Sequence, residues 1–154
     1  MKAERRVRFA RPRIGWREWA SFPDLGVEEI KAKIDTGAKT SAIHAFDIEV
    51  LKRGGERMVA FSVSPEQRRR RPEVRCLATL VGPRLIRCSN GAMEERYVVA
   101  TRLKLGERDF VIELSLAARD EMGFRLLLGR DALRKRFLID PGASFLLGKR
   151  GGRR

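Results

Sequence analysis

Residues 32–42 read Ala-Lys-Ile-Asp-Thr-Gly-Ala-Lys-Thr-Ser-Ala, an apolar approach that runs straight into Asp35-Thr36-Gly37. An aspartate at a strand end needs a tight turn if its carboxylate is to project into a cleft. Gly37 lets the backbone turn and bring its N–H to the Asp35 carboxylate, and Thr36 offers a hydroxyl that can lock the turn. A carboxylate held this way suits work at a peptide bond. The ionised acid of a pair takes a proton from water while its protonated partner polarises the carbonyl oxygen. Two carboxylates about 3 Å apart share one proton and titrate as a unit. One Asp-Thr-Gly supplies half of such a pair.

The elements that must position Asp35 read as strands. Ile30, Ala32 and Ile34 alternate with Lys31 and Lys33, the period of a half-buried strand over residues 28–35. Before it, a strand is expected around Gly15 to Trp19, with a turn at Pro23-Asp24. After it, residues 48–63 form a hairpin about Gly54-Gly55, and residues 67–73 a polar loop. Further strands flank Asn90-Gly91, the strongest hairpin turn in the chain. Phe110, Ile112 and Leu114 share one strand face. Residues 124–140 read as a buried strand, a glycine, a short helix over Asp131 to Arg136 and another strand, with residues 144–148 closing the domain. Many short strands with one or two short helices indicate a mainly β domain with a closed or folded-over sheet.

Size and composition bound the rest. The chain has 154 residues, 43% of them hydrophobic, enough for one domain with a core. The organisation expected is a basic N-terminal tail over 1–13, a domain over 14–148 and a basic C-terminal tail over 149–154. No run of 18 apolar residues is present, so no membrane partner is expected, and no apolar segment follows the charged N-terminus as a secretory signal would require. Cys76 and Cys88 have no spacing that demands pairing, so a reducing cytoplasm is the default. The net charge of +14 attracts anionic partners: nucleic acid, ribosome or acidic peptide. Its local clusters, at Arg5-Arg6, Arg68 to Arg71 and the C-terminus, read first as solvated loops and tails.

Ile34-Asp35-Thr36-Gly37-Ala38 resembles the active-site signature of aspartic peptidases, and Leu126-Leu127-Leu128-Gly129-Arg130-Asp131-Ala132-Leu133 resembles the segment that lies behind the catalytic turn in retropepsins. Together with residues 14–26, 95–106, 110–116, 119–133 and 138–148, these motifs are similar to one bacterial family over roughly residues 14 to 148. It is the retropepsin-like family often labelled "ATP-dependent zinc protease" and associated with the RimK-type glutamate ligase, with RimB as a member. The resemblance implies a retropepsin-like closed β-barrel and a catalytic Asp35, with Thr36 and Gly37 completing the turn. Leu128, Gly129 and Arg130 would support it from behind, Arg130 through structural ion pairs. It also implies a link to a ligase that adds glutamates to a ribosomal protein. A peptidase for poly-glutamate tails would suit a protein of charge +14. The runner-up is a non-catalytic basic module docking on the ribosome, RNA or the ligase.

The zinc and ATP of that label find no support in the residues. The only histidine is His44, no His-Glu-x-x-His or Cys-x-x-Cys is present, and no Gly-x-x-x-x-Gly-Lys loop occurs. No cofactor and no metal are therefore expected. The second carboxylate is expected from Asp35 of a twofold partner in a homodimer. Asp140 in Ile139-Asp140-Pro141-Gly142-Ala143 is the in-chain alternative, although Pro141, with no hydroxyl and a fixed φ, argues that its turn is not equivalent. Ala38, Lys39 and His44, near the turn, and Arg87 and Arg96, flanking the Asn90-Gly91 hairpin with Arg84, are candidates to bind substrate. That hairpin and the one at Gly54-Gly55 are alternative flaps. Trp16 and Trp19 read as core or interface anchors.

Overall fold

The strand that carries Asp35 follows from its alternation. In the computed structural model, which describes residues 10–67, 70–88, 90–118 and 123–148, β3 spans Val27–Ile34 and buries Ile30, Ala32 and Ile34 while Lys31 and Lys33 stay half exposed. Its antiparallel neighbour β2, Arg17–Phe22, is reached from β1, Arg13–Ile14, through Gly15 and Trp16. The first long strand thus begins two residues later than its apolar pattern predicts. A Cβ at Gly15 would fall on the carbonyl of Ala143, so this position serves a close backbone crossing rather than a ladder. A single 3-10 turn, Pro23–Leu25, links β2 to β3 and ends on Gly26 in the left-handed region.

Past the Asp35 turn come β4, Ser41–His44, and the hairpin β5, Phe46–Arg53, with β6, Glu56–Val63, joined at Gly54-Gly55. Two long strands follow: β7, Val74–Arg87, and β8, Met93–Leu105, then β9, Arg108–Ala117. Ile112 and Leu114 point into the core from β9 while Val111 and Glu113 face out, as their alternation predicts. The chain ends in β10, Leu126–Leu128, the one-turn helix α1, Arg130–Leu133, and β11, Leu138–Ile139. The helix is shorter than expected because Arg134 leaves helical ψ and Lys135 takes a positive φ of 68°.

Nine strands form one sheet in the order β2-β3-β10-β4-β9-β8-β7-β6-β5, and a pairing of β2 with β8 at Ser21 and Lys104 closes six of them into a barrel. The chain is therefore mainly β with a retropepsin-like closed barrel. Ile30, Ile43, Leu103, Leu114, Leu126 and Leu128, all fully buried, fill its interior. Strands β7, β6 and β5 continue the sheet beyond closure, and β1 with β11 forms a separate parallel ribbon. No helix among the described residues is long and apolar enough to cross a membrane. Residues 1–9 and 149–154 of the basic tails, with Arg68 and Arg69 of the loop cluster, lie outside the described residues.

Candidate active site

Insertion of β10 between β3 and β4 creates the site. β10 runs parallel to β3 with Leu128 beside Ile34, and antiparallel to β4 with Leu127 beside Ala42. The loop from β3 to β4 must therefore pass over the end of β10, and Asp35 lies at its start. Four main-chain bonds hold it there. Asp35 N–H donates to the Leu128 carbonyl at 2.9 Å, and Ala38 N–H to the Asp35 carbonyl at 3.3 Å. The Ala38 and Lys39 carbonyls accept from the N–H groups of Arg130 and Asp131 at 2.8 and 3.0 Å.

Gly129 is the fulcrum of this crossing. A Cβ there would come within 2.9 Å of both the Ala38 and the Lys39 carbonyl oxygens, closer than real side chains approach backbone. Its N–H donates to the Oγ of buried Ser41 at 3.0 Å. The expected role of Gly37 holds: its N–H donates to Asp35 Oδ1 at 3.0 Å, which fixes the carboxylate over its own turn. Thr36 acts differently from the expectation. It is exposed, and among the described residues its hydroxyl makes no hydrogen bond; its carbonyl accepts from Arg130 Nη1 at 2.9 Å. The guanidinium thus replaces the hydroxyl as the lock. Among the described residues of the single chain, Arg130 makes this backbone contact and no ion pair.

Above the turn lies a cavity of about 690 Å³ whose lining includes Asp35, Gly37, Ala38 and Lys39 on one side and Arg84 to Cys88, Met93 and Arg96 on the other. The β7–β8 hairpin, carrying Asn90-Gly91, is thus the element that faces Asp35; no residue of the Gly54-Gly55 hairpin lines the cavity. Leu85 and Met93, 62% and 52% exposed, give this wall an apolar surface. Its ionic lining is Lys39, Arg84, Arg87, Arg96 and Arg130 against Asp35 and Glu113. Lys39 pairs with Asp131 at 3.1 Å in a half-exposed contact. Arg84 pairs with Glu113 at 2.8 Å. Arg96, with a side chain only 7% exposed, gives Nε and Nη2 to a single Glu94 oxygen at 3.2 and 3.0 Å, and Nη2 also lies 3.6 Å from Cys88 Sγ.

Of the sequence candidates, Asp35, Gly37, Ala38, Lys39, Arg87, Arg96 and Arg130 meet at this cavity, and Leu128 and Gly129 stand behind it. His44 does not: it lines a small separate recess with Arg125, whose guanidinium lies 3.1 Å from His44 Nδ1. Its neighbourhood to the turn in sequence is undone by β4, which carries it to the far end of the strand. Ser41 and Glu113 had no role in the sequence reading. Glu113 left one signal, a charge in the middle of the run Phe110 to Leu116. Among the described residues no three His, Cys, Asp or Glu side chains cluster to hold a metal, so the donor set does not fit zinc. Cys76 and Cys88 are not joined in a disulfide.

Asp140 sits in a turn built like that of Asp35. Gly142 N–H donates to Asp140 Oδ1 at 3.0 Å, Ala143 N–H donates to the Asp140 carbonyl at 3.1 Å, and Asp140 N–H donates to the Ile14 carbonyl at 2.8 Å. The expectation that Pro141 makes this turn inequivalent is corrected: proline fixes φ at a position whose N–H the turn does not use. Asp140 does not line the Asp35 cavity.

Comparison with known proteins agrees with this geometry. The family described as "RimB-like: Retropepsin-like aspartic endopeptidase RimB" matches residues 13–150. A Shewanella pealeana protein named "Probable alpha-L-glutamate ligase" is 48% identical over 138 residues, covering 90% of this chain and 30% of its own length. A protein of the same name from Parasynechococcus marenigrum is 44% identical over 135 residues, covering 88% and 29%. The chain thus spans about 30% of the length of the curated relatives it matches. A crystal structure of a Legionella pneumophila protein of unknown function (DUF785) superposes with a TM-score of 0.75 at 27% identity, covering 90% of this chain and 99% of that one.

Proposed function

Because the chain belongs to the RimB-like family of retropepsin-like aspartic endopeptidases, we propose that it hydrolyses peptide bonds with a water activated by Asp35, acting on glutamate-rich tails of the kind a glutamate ligase builds. The observation that carries this reading is the position of the Asp35 turn under a cavity whose ionic lining is five cationic side chains and two carboxylates. Arginine and lysine bind carboxylates by charge-assisted hydrogen bonds, so an acidic peptide is the substrate class this lining favours. The name "Probable alpha-L-glutamate ligase" on longer relatives supports a partnership with such a ligase; the reading takes that ligase to be of the RimK type and places the partnership in the cytoplasm or at the ribosome.

In this reading Asp35 is the acid whose ionised form takes the proton of the attacking water. Gly37, Gly129 and Arg130 hold its carboxylate and turn still. The protonated partner acid is Asp35 of a second copy across a twofold axis. Within the chain, the other carboxylate of the cavity lining, Glu113, pairs with Arg84. The test compares hydrolysis of a glutamate-tailed peptide with that of its glutamine-tailed counterpart at rising salt, followed by mass spectrometry. The expected result is cleavage of the glutamate tail, weakening steeply with salt and absent in Asp35→Asn. Equal cleavage of both peptides would remove the acidic-tail substrate, and retained cleavage in Asp35→Asn would remove the mechanism.

A second reading has its own observation: among the described residues, no other acid contacts the Asp35 carboxylate. Here the domain binds acidic tails without cutting them and docks them for a ligase. Tight binding of the glutamate tail by wild type and Asp35→Asn alike, with no hydrolysis by either, would select it.

A further inference from the structure

The contact between Arg84 and Glu113 is long in sequence register. Arg84 is paired with Arg96, and Glu113 with Ala100, so the two sit on strands either side of β8 and four residues apart along it. That offset is about 13 Å at ~3.3 Å per residue. Between them and the rest of the sheet, β7 breaks register between Leu80 and Gly82, with Gly82 at φ 148°, an irregularity of the kind that bends a strand. The 2.8 Å ion pair straps the hairpin wall of the cavity to the barrel wall.

The surroundings separate this pair from its neighbour. Arg96, directly opposite Arg84, is almost fully buried and spends two donors on Glu94; losing that partner would strand a buried charge. Arg84 and Glu113 are 35% and 48% exposed, so their pairing is screened by solvent and weak. Arg87, also on the cavity, is exposed and has no ion pair among the described residues. Arg84 is therefore the cavity arginine with a carboxylate it can exchange.

We propose that Glu113 is a resident placeholder for a substrate carboxylate: an acidic side chain of the bound peptide takes its position on Arg84, and Glu113 turns out to solvent. This inference rests on the acidic-tail reading of the site and adds the residues that set it. Arg84 reads the charge, and Glu113 sets how much charge is needed to be read. A glutamine-bearing peptide leaves the internal pair in place and gains nothing from it.

The test uses fluorescence anisotropy of labelled glutamate-tailed and glutamine-tailed peptides in the Asp35→Asn background, where turnover cannot obscure binding. Glu113→Gln removes the competitor and tightens binding of the glutamate tail by about 2- to 5-fold at low salt, the fold-change of an exposed ion pair, with no change for the glutamine tail. Arg84→Gln weakens the glutamate tail and erases the discrimination, and Arg84→Gln/Glu113→Gln behaves as Arg84→Gln alone. A gain of affinity cannot come from a damaged fold. Glu113→Asp, too short for the 2.8 Å contact, supplies a second variant expected to tighten binding. Unchanged or weaker binding in both Glu113 variants overturns the proposal, as does failure of the starting protein to bind the glutamate tail. The predicted shifts together with absence of hydrolysis in wild type would leave the placeholder standing and remove the peptidase reading. Hydrolysis with neutral Glu113 variants would do the reverse.

Discussion

The turns at Asp35 and Asp140 are built on one plan. In each, an aspartate ends a short parallel pairing, and its carboxylate oxygen accepts the N–H of a glycine two residues on, at 3.0 Å in both cases. In each, an alanine carbonyl three residues on is capped by a neighbouring backbone N–H at 2.8 Å, that of Arg130 or of Trp16. The residue before that N–H is a glycine with no room for a Cβ, Gly129 or Gly15. What differs is the surroundings. Over the Asp35 turn stands the cavity under the β7–β8 hairpin. Beside the Asp140 turn the space is filled: buried Glu18 accepts the N–H groups of Gly15, Leu146 and Leu147, Trp19 stacks on Phe145, and Arg17 lies over Phe145. A carboxylate-bearing turn is a backbone solution available to any Asp-x-Gly. What sets the Asp35 turn apart is the empty, charged volume above it.

The largest effect should separate the two aspartates themselves. Asp35→Asn is expected to lower hydrolysis of a glutamate-tailed peptide by at least about 10²-fold, the scale of a lost general base. Asp140→Asn should leave kcat/KM within about 2-fold, as surface changes do. Comparable losses in both would mean that Asp140 belongs to the site. Next are the two glycines. Gly129→Ala and Gly15→Ala each press a methyl against backbone carbonyls, at a cost of about 1–3 kcal/mol in chemical denaturation. Only Gly129→Ala should also lower kcat in the folded protein.

A smaller effect is expected from Arg130→Leu. It removes the guanidinium bond to the Thr36 carbonyl, about 1 kcal/mol of support, and should appear in kcat rather than KM. An unaltered kcat would show that the other main-chain bonds suffice. The smallest effect provides the control for all of these. Burial pushes the Cys76 thiol from 9.0 up to about 11, against the opposing pull of Arg75. Thiol reagents should therefore modify Cys88 quickly and Cys76 slowly at pH 8 in every variant whose barrel stays closed. The linked stability is fully present below pH 9.0, where both states are protonated. It falls as pH rises toward about 11, because the unfolded thiol ionises first. Cys76→Ala should flatten that slope.

How far the sequence spoke follows the same division. Strand β3, the Gly54-Gly55 and Asn90-Gly91 hairpins and the outward face of β9 were legible, because alternation and turn residues are local signals. So was the Asp35 turn with Gly129 behind it, through two motifs far apart in the chain. The equivalence of the Asp140 turn was not, because it depends on β1 pairing in parallel with β11, a contact between the two ends of the domain. The choice of flap, the displacement of His44 from the cavity and the partnership of Arg84 with Glu113 depend likewise on sheet curvature, which no short stretch encodes.

If the Asp35 turn and the cavity above it together receive an acidic peptide, a crystal structure of Asp35→Asn with an uncleaved glutamate-tailed peptide should show where it lies. The peptide should thread beneath the β7–β8 hairpin, with one backbone carbonyl against residue 35 and a glutamate carboxylate on Arg84. A peptide seated beside Asp140 or on the outer face of the barrel, with the cavity left open, would overturn that reading.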